Sequence, residues 1–235
     1  MELDTSVPYE AMIWLEREER WELQHLGRLL TEGSSFVDVG ANLGLWTLRA
    51  ATLVGRRGRV HALEPNPALF ERLNRHVERN GFGDRVRTHP VGAASRIGEG
   101  FLDISHGHNE GRVVLGAREE GITAGLLLER VRLRALDDLL VDQPVDGVKI
   151  DVEGFEAQVL AGASRLIVRD HPWIVVEWNT LLGPGGCLGE WEVHRMLVEQ
   201  GYGERPRLVS SRDMEAVGPS WTIAGYCNLL YVPSR

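Results

Sequence analysis

Apolar and polar positions change period several times along this chain. From 8 to 30 the apolar residues Met12, Leu15, Leu23, Leu26, Leu29 and Leu30 recur among charges at helical spacing, which predicts an N-terminal helical segment. Thr31-Glu32-Gly33-Ser34 stops it. Short apolar runs then alternate with helix-period stretches. Strands are expected at 35–39, 59–63 and 86–91, and helices at 43–54 and 67–80, the second opened by Pro67 and closed by Gly81. Alternation of this kind predicts an α/β fold, a parallel sheet with helices on both faces.

The pattern breaks at 92–133, a Gly-rich excursion of short alternating runs read as loops and small strands. It resumes with a strand at 145–150, partial helix over 155–169 and a strongly apolar strand at 173–178. A Gly/Pro loop, Gly183 to Gly186, precedes a helix at 190–200. Two last strands, 206–210 and 226–232, are expected to close the sheet as an antiparallel hairpin with a short link. No repeat or low-complexity linker interrupts the 235 residues, so one domain is expected over 1–235, with the leading helix packed on the sheet, capping the site or pairing subunits into a homo-oligomer.

Composition narrows the partners. The net charge of −8 leaves no basic surplus for bulk nucleic-acid binding. No apolar run approaches the roughly 18 residues of a membrane span, and Met1-Glu2-Leu3-Asp4 is not a cationic signal start. Cys187 and Cys227 form neither a C-x-x-C pair nor a zinc pattern. A cytoplasmic protein acting on a small molecule, without nucleic acid or membrane, is expected.

The chemistry starts at Asp38-Val39-Gly40-Ala41-Asn42-Leu43-Gly44, a strand end, a Gly turn and a helix start. Glu64 closes the next strand. Such a unit suits a nucleoside, yet the glycines of a dinucleotide fingerprint are missing, since Asn42 and Leu45 stand at the second and third positions. S-adenosylmethionine (SAM) has no pyrophosphate and fits the polar loop better. In that reading Asp38 and Asn42 hold the methionine part, Gly40 permits the close turn, and helix N–H groups near Gly44 favour the carboxylate. Glu64 accepts both ribose hydroxyls with help from Asn66, and Gly92 and Ala93 leave room for a flat adenine.

A second constellation is Lys149, Asp151 and Glu153, placed by the sheet order opposite that loop. Lys149 is the sole lysine among 26 Lys and Arg residues. Asp151 or Glu153 could take a proton from a substrate hydroxyl, with Lys149 as ion-pair partner or substrate ligand. Glu177 and Asn179 at the next strand end could join Asp151 as oxygen ligands of Mg²⁺. His106 and His108 could serve as base or ligand in the excursion.

Val37 to Gly44, Leu63-Glu64-Pro65-Asn66-Pro67, Leu136-Asp137-Asp138-Leu139 and Val148 to Glu156 together resemble the FkbM family of class I SAM-dependent methyltransferases, over roughly residues 35–180. The resemblance implies a Rossmann-like, doubly wound, seven-stranded mostly parallel sheet with a final antiparallel strand. It also implies O-methylation of a sugar or polyketide hydroxyl in natural-product biosynthesis. N-methylation of an amino group, or a nucleoside or NAD(P)-binding role without methyl transfer, are the alternatives. The absence of a Tyr-x-x-x-Lys pair weighs against the last.

Overall fold

The structure is a computed structural model that describes residues 1–103, 112–114, 128–181 and 186–234. His106 and His108 lie outside them.

The main sheet is built from β1 (Ser35–Val39), β2 (Arg59–Leu63), β3 (Val86–His89), β8 (Gly147–Ile150), β9 (Trp173–Asn179), β10 (Arg207–Leu208) and β11 (Tyr226–Tyr231). Its order is β10-β11-β9-β8-β1-β2-β3. β1, β2, β3, β8 and β9 pair parallel, while β11 runs antiparallel to both β9 and β10. The seven-stranded, mostly parallel sheet with one reversed last strand is therefore present. Chain direction across the sheet reverses between β1 and β8, and the carboxyl ends of these two strands open the crevice where α/β sheets bind ligands.

Both faces are covered, as apolar runs such as Ile174–Val176 require. Along β1 the side chains alternate: Val37 and Val39 pack with Ile150, Val176 and Trp178 on one side. Phe36 packs on the other with Val175, Ala50 and Val54 of α3 (Leu45–Val54) and Leu26 of α2 (Arg20–Leu29). Phe36 stacks between Trp46 and Trp173. The second face also carries the charges Asp38 and Lys149, which are register partners across β1 and β8.

Several boundaries differ from the sequence expectation, each for a physical reason. The leading helix is two helices, α1 (Pro8–Trp14) and α2, broken where Glu16 and Glu19 take left-handed backbone at φ 53° and 47°. The run Glu16-Arg17-Glu18-Glu19-Arg20 has no apolar side chain to bury, so packing does not hold it helical. β3 stops at His89 because Pro90 has no N–H to donate. Helix α3 starts two residues later than expected, after Gly44 in left-handed conformation at φ 89°. Helix α4 (Pro67–Arg79) is capped as its sequence dictates: Asn66 Oδ1 accepts from the N–H groups of Ala68 and Leu69, and Pro67 occupies the first turn. The expected partial helix at 155–169 is α5 (Glu156–Ala161) and α6 (Ser164–Asp170), and the late helix α7 spans Glu192–Glu199. The last two strands are joined by residues 209–225, a longer link than a hairpin, and β11 inserts between β9 and β10.

The excursion gives a second sheet. β4 (Gly92–Ala93), β5 (Gly98–Asp103), β6 (Arg112–Val114) and β7 (Leu128–Arg134) pair in the order β4-β7-β5-β6. Leu102, Val131 and Leu133 bury against Phe155, which ties this sheet to the loop after β8.

Candidate active site

A cavity of about 700 Å³ opens at the carboxyl ends of β1, β2, β8 and β9. That size suits a small-molecule site. It joins the two constellations of the sequence, and it adds the N-terminal segment as a third wall.

The first wall is the turn after β1. Gly40 and Ala41 donate their N–H groups to Leu63 O at 3.1 and 2.9 Å, which ties the turn to the end of β2. Gly40 has φ 79°, and a Cβ there would lie 1.9 Å from Asp151 O. Only glycine lets the turn and the loop after β8 approach this closely. Asn42, also left-handed at φ 50°, turns its own N–H onto Glu64 Oε2 at 2.8 Å. Asn66 N–H donates to Glu64 Oε1 at 2.9 Å. Glu64 is 5% exposed, and burial pushes its carboxyl up to about 7 although both backbone donors pull it down. Asn66 Nδ2 and Asn42 Oδ1 are buried at this wall without hydrogen-bond partners among the described residues. Gly92 and Ala93 line the same end.

Asp38 and Gly44 stand behind this wall rather than in it, since neither lines the cavity. Asp38 is fully buried; its Oδ2 accepts from Thr47 Oγ1 at 2.6 Å, and its Oδ1 lies 4.0 Å from Lys149 Nζ. A Cβ on Gly44 would strike Leu73 of α4 at 2.6 Å, so this glycine serves helix packing.

The second wall comes from β8 and β9. Lys149 is 4% exposed, donates to Asp151 Oδ2 at 3.0 Å and Gly40 O at 3.4 Å, and lies 5.9 Å above the Trp46 ring. Burial alone would lower its pKa, but Asp151, Asp38 and Glu19 outweigh burial and hold it above the ordinary lysine range. Lys149 is a fixed cation, a pillar between the two loops rather than a base. Asp151, Glu153 and Glu177 each bring one carboxylate oxygen to a common point, all within 4.8 Å of one another. Burial first, then Asp151 and Glu153, raise the Glu177 carboxyl well above the ordinary range, and its Oε2 has no partner among the described residues. Asn179 lines the cavity but spends its Oδ1 on Leu181 N–H at 3.1 Å. The oxygen cluster thus contains Glu153 in place of Asn179.

The third wall brings residues that the sequence does not single out. Tyr9 and Glu19 reach in from α1 and the turn before α2, and Tyr226 and Asn228 from β11. Glu19 Oε1 accepts from Trp46 Nε1–H at 2.7 Å, and burial pushes its carboxyl up to about 8. Nothing in the helical spacing of 8–30 marks Glu19; the only sign is the apolar gap around it.

Comparisons with known proteins agree with this geometry. The profile of the Methyltransferase FkbM domain matches residues 38–203. A search of curated proteins finds no match. Among solved structures, an FkbM methyltransferase from Methylobacillus flagellatus KT is similar at TM-score 0.55 and 18% identity, covering 86% of this chain and 44% of that one. This chain therefore spans less than half of that protein. A precorrin-6y C5,15-methyltransferase from Geobacter metallireducens GS-15 is similar at TM-score 0.51 and 14% identity, covering 93% and 90%. Aeropyrum pernix fibrillarin, solved with natively bound S-adenosyl-L-methionine, is similar at TM-score 0.50 and 14% identity, covering 91% and 74%. At these identities the structural likenesses speak to the fold. No helix among the described residues is long and apolar enough to cross a membrane.

Proposed function

The chain belongs to the FkbM family of SAM-dependent methyltransferases, and from that premise we propose that it methylates a hydroxyl of a small sugar or polyketide-type molecule. The observation that carries this reading is the continuity of the cavity, from Glu64 and Asn66 at one end to Asp151, Glu153 and Glu177 at the other.

The residues at the Glu64 end fit the cofactor. Glu64, held by two backbone N–H groups, has lone pairs left for both ribose hydroxyls, and the partnerless Asn66 Nδ2 offers a donor beside it. Asn42 Oδ1 would hold the methionine part, with Asp38 supporting the turn from behind through Thr47 and Lys149. Gly92 and Ala93, which line the same end, would leave space for the adenine. When bound, SAM supplies an electrophilic methyl group on its sulfonium.

The chain's own work is on the acceptor. Lys149 locks Asp151 at 3.0 Å and so fixes where its free oxygen points. A hydroxyl placed among Asp151, Glu153 and Glu177 finds carboxylates that can align it and take its proton. Glu177, whose pKa burial raises above the ordinary range, keeps its proton more readily than an ordinary glutamate and can align the hydroxyl, leaving Asp151 or Glu153 to take the proton. A divalent cation is a second reading of the same oxygens, favoured by their 4.8 Å grouping. It would be held by Asp151, Glu153 and Glu177 and would lower the pKa of the acceptor hydroxyl. Activity that survives exhaustive chelation dismisses that ion. Methylation of an amine would use the same cofactor end and need less activation.

A thermal-shift comparison of SAM, S-adenosylhomocysteine, NAD and NADP tests the reading. Stabilisation by the first two is expected; stabilisation by NAD alone overturns it. A mass gain of one methyl on a candidate acceptor then assigns the atom.

A further inference from the structure

Helix α1 buries a single side chain, and that side chain is charged. Glu10 is 1% exposed, while Met12, Trp14 and Leu15 of the same stretch are exposed. This seven-residue helix is too short to hold itself, and apolar packing does not hold it, so polar bonds must. They come from α4. Arg72 donates to both Glu10 oxygens, at 2.7 and 2.6 Å, and to Glu2 O at 3.1 Å. Arg79 pairs with the Glu2 carboxylate at 2.9 Å. Between them His76, 1% exposed, accepts the Glu2 N–H at Nε2 at 3.0 Å. Arg72, His76 and Arg79 are spaced four and three apart, so they form one stripe along α4.

The stripe also reaches the cofactor end. Because His76 Nε2 accepts from a backbone N–H, its Nδ1–H donates to Leu43 O at 2.8 Å, in the turn after β1. Burial lowers the His76 pKa, which keeps the ring neutral and Nε2 able to accept. The segment held in this way places Tyr9, next to Glu10, in the cavity wall. It then bends through left-handed Glu16 and Glu19, at φ 53° and 47°, a backbone that persists only where its surroundings fix it. Glu19 meets the Trp46 indole N–H at 2.7 Å. The segment is thus fastened at two places, by the stripe and by Trp46. Both lead to the same turn, the stripe through Leu43 O and Trp46 from just after Gly44.

We infer that Arg72 is a positioning residue for the reaction: by gripping Glu10 it seats the N-terminal segment over the cavity, so that Tyr9 and Glu19 close the third wall on a bound cofactor. The inference rests on the methyltransferase reading and adds a coupling to it. Segment and cofactor share the turn at Leu43, so docking of one favours binding of the other, and the reverse. Arg72 acts only through Glu10, since it does not itself line the cavity; Leu69, one turn earlier on α4, does.

The test follows hydrogen–deuterium exchange over 9–22 in the full chain, with and without S-adenosylhomocysteine, in wild type, Arg72→Ala, Arg72→Lys and Glu10→Gln. S-adenosylhomocysteine should slow exchange over 9–22 in wild type. Arg72→Ala should speed it roughly tenfold or more and weaken S-adenosylhomocysteine roughly fivefold or more in calorimetry. Exchange in β8 and β9, which reports folding, should stay unchanged. Arg72→Lys keeps the charge but loses the two-armed grip, so it should restore both readouts in part. Glu10→Gln removes the buried charge itself and carries the same expectation as Arg72→Ala should that variant fail to fold. Unchanged exchange over 9–22 in Arg72→Ala and Glu10→Gln, or no slowing by S-adenosylhomocysteine in wild type, would overturn the inference. So would faster exchange in the variants with unaltered S-adenosylhomocysteine affinity, which makes the grip structural only. Those results leave the cofactor reading standing; failure of S-adenosylhomocysteine to bind wild type brings down both.

Discussion

Around Glu64, the carboxylate is met by two backbone N–H groups, from Asn42 and Asn66, at 2.8 and 2.9 Å. Around Glu177, Oε2 meets no donor among the described residues, and two more carboxylate oxygens crowd within 4.8 Å. The first half is tied together by the chain itself, with Asn42 Oδ1 and Asn66 Nδ2 left for a ligand. At Glu177 the second half gathers carboxylates instead. A cofactor that is the same in every turnover suits a preset end, and a reacting acceptor suits an end where carboxylates gather.

The largest effect expected from breaking the second half alone is on rate. Asp151→Asn removes an acceptor of the substrate proton, and turnover should fall roughly 10²- to 10⁴-fold. The affinity for SAM should change far less, as steady-state kinetics with varied cofactor will report.

Breaking the seam between the halves comes next. Gly40→Ala places a methyl 1.9 Å from Asp151 O on a backbone at φ 79°. A loss of about 3 kcal/mol or more in urea unfolding is expected, from strain and overpacking together, with cofactor and acceptor binding both impaired.

A smaller effect separates the halves by pH. The folded pKa of Glu64, about 7, lies above its ordinary 4.5. Between these values the folded chain binds more protons than the unfolded one, so stability falls as pH rises. Glu19, pushed to about 8, acts in the same direction. Glu64→Gln should remove its share, on the order of 2–3 kcal/mol between pH 4.5 and 7, and flatten that part of the stability curve in denaturant titrations. Because ribose hydroxyls favour the ionised carboxylate, wild-type SAM affinity should rise as pH passes through about 7.

How much of this was legible in the sequence follows from how each half is built. The first half lies in two short segments, 38–44 and 64–66, so strand ends, Gly40, Asn42 and Glu64 could be read in order. Even there, Asp38 and Gly44 turned out to support the wall rather than form it. Asp38 points to the face of β1 that α3 covers, and Gly44 answers to Leu73. The second half is assembled from residues 19, 151–153, 177 and 228, which only the sheet order brings together. Lys149, Asp151 and Glu153 stood out because charges at the end of a buried strand demand partners. Glu19 and Asn228 carry no such mark: one sits in a charged run, the other in an ordinary apolar strand. The break in the N-terminal helix, which delivers Glu19, follows from a lack of apolar contacts over 16–20.

The central claim is that one half holds the cofactor and the other does not. Calorimetric titration of SAM into wild type, Glu64→Gln and Asp151→Asn at pH 8 tests it most directly. The account predicts that Glu64→Gln weakens binding roughly tenfold or more, through loss of charged hydrogen bonds, while Asp151→Asn stays within about threefold of wild type, under 1 kcal/mol. Equal affinity in wild type and Glu64→Gln would contradict it.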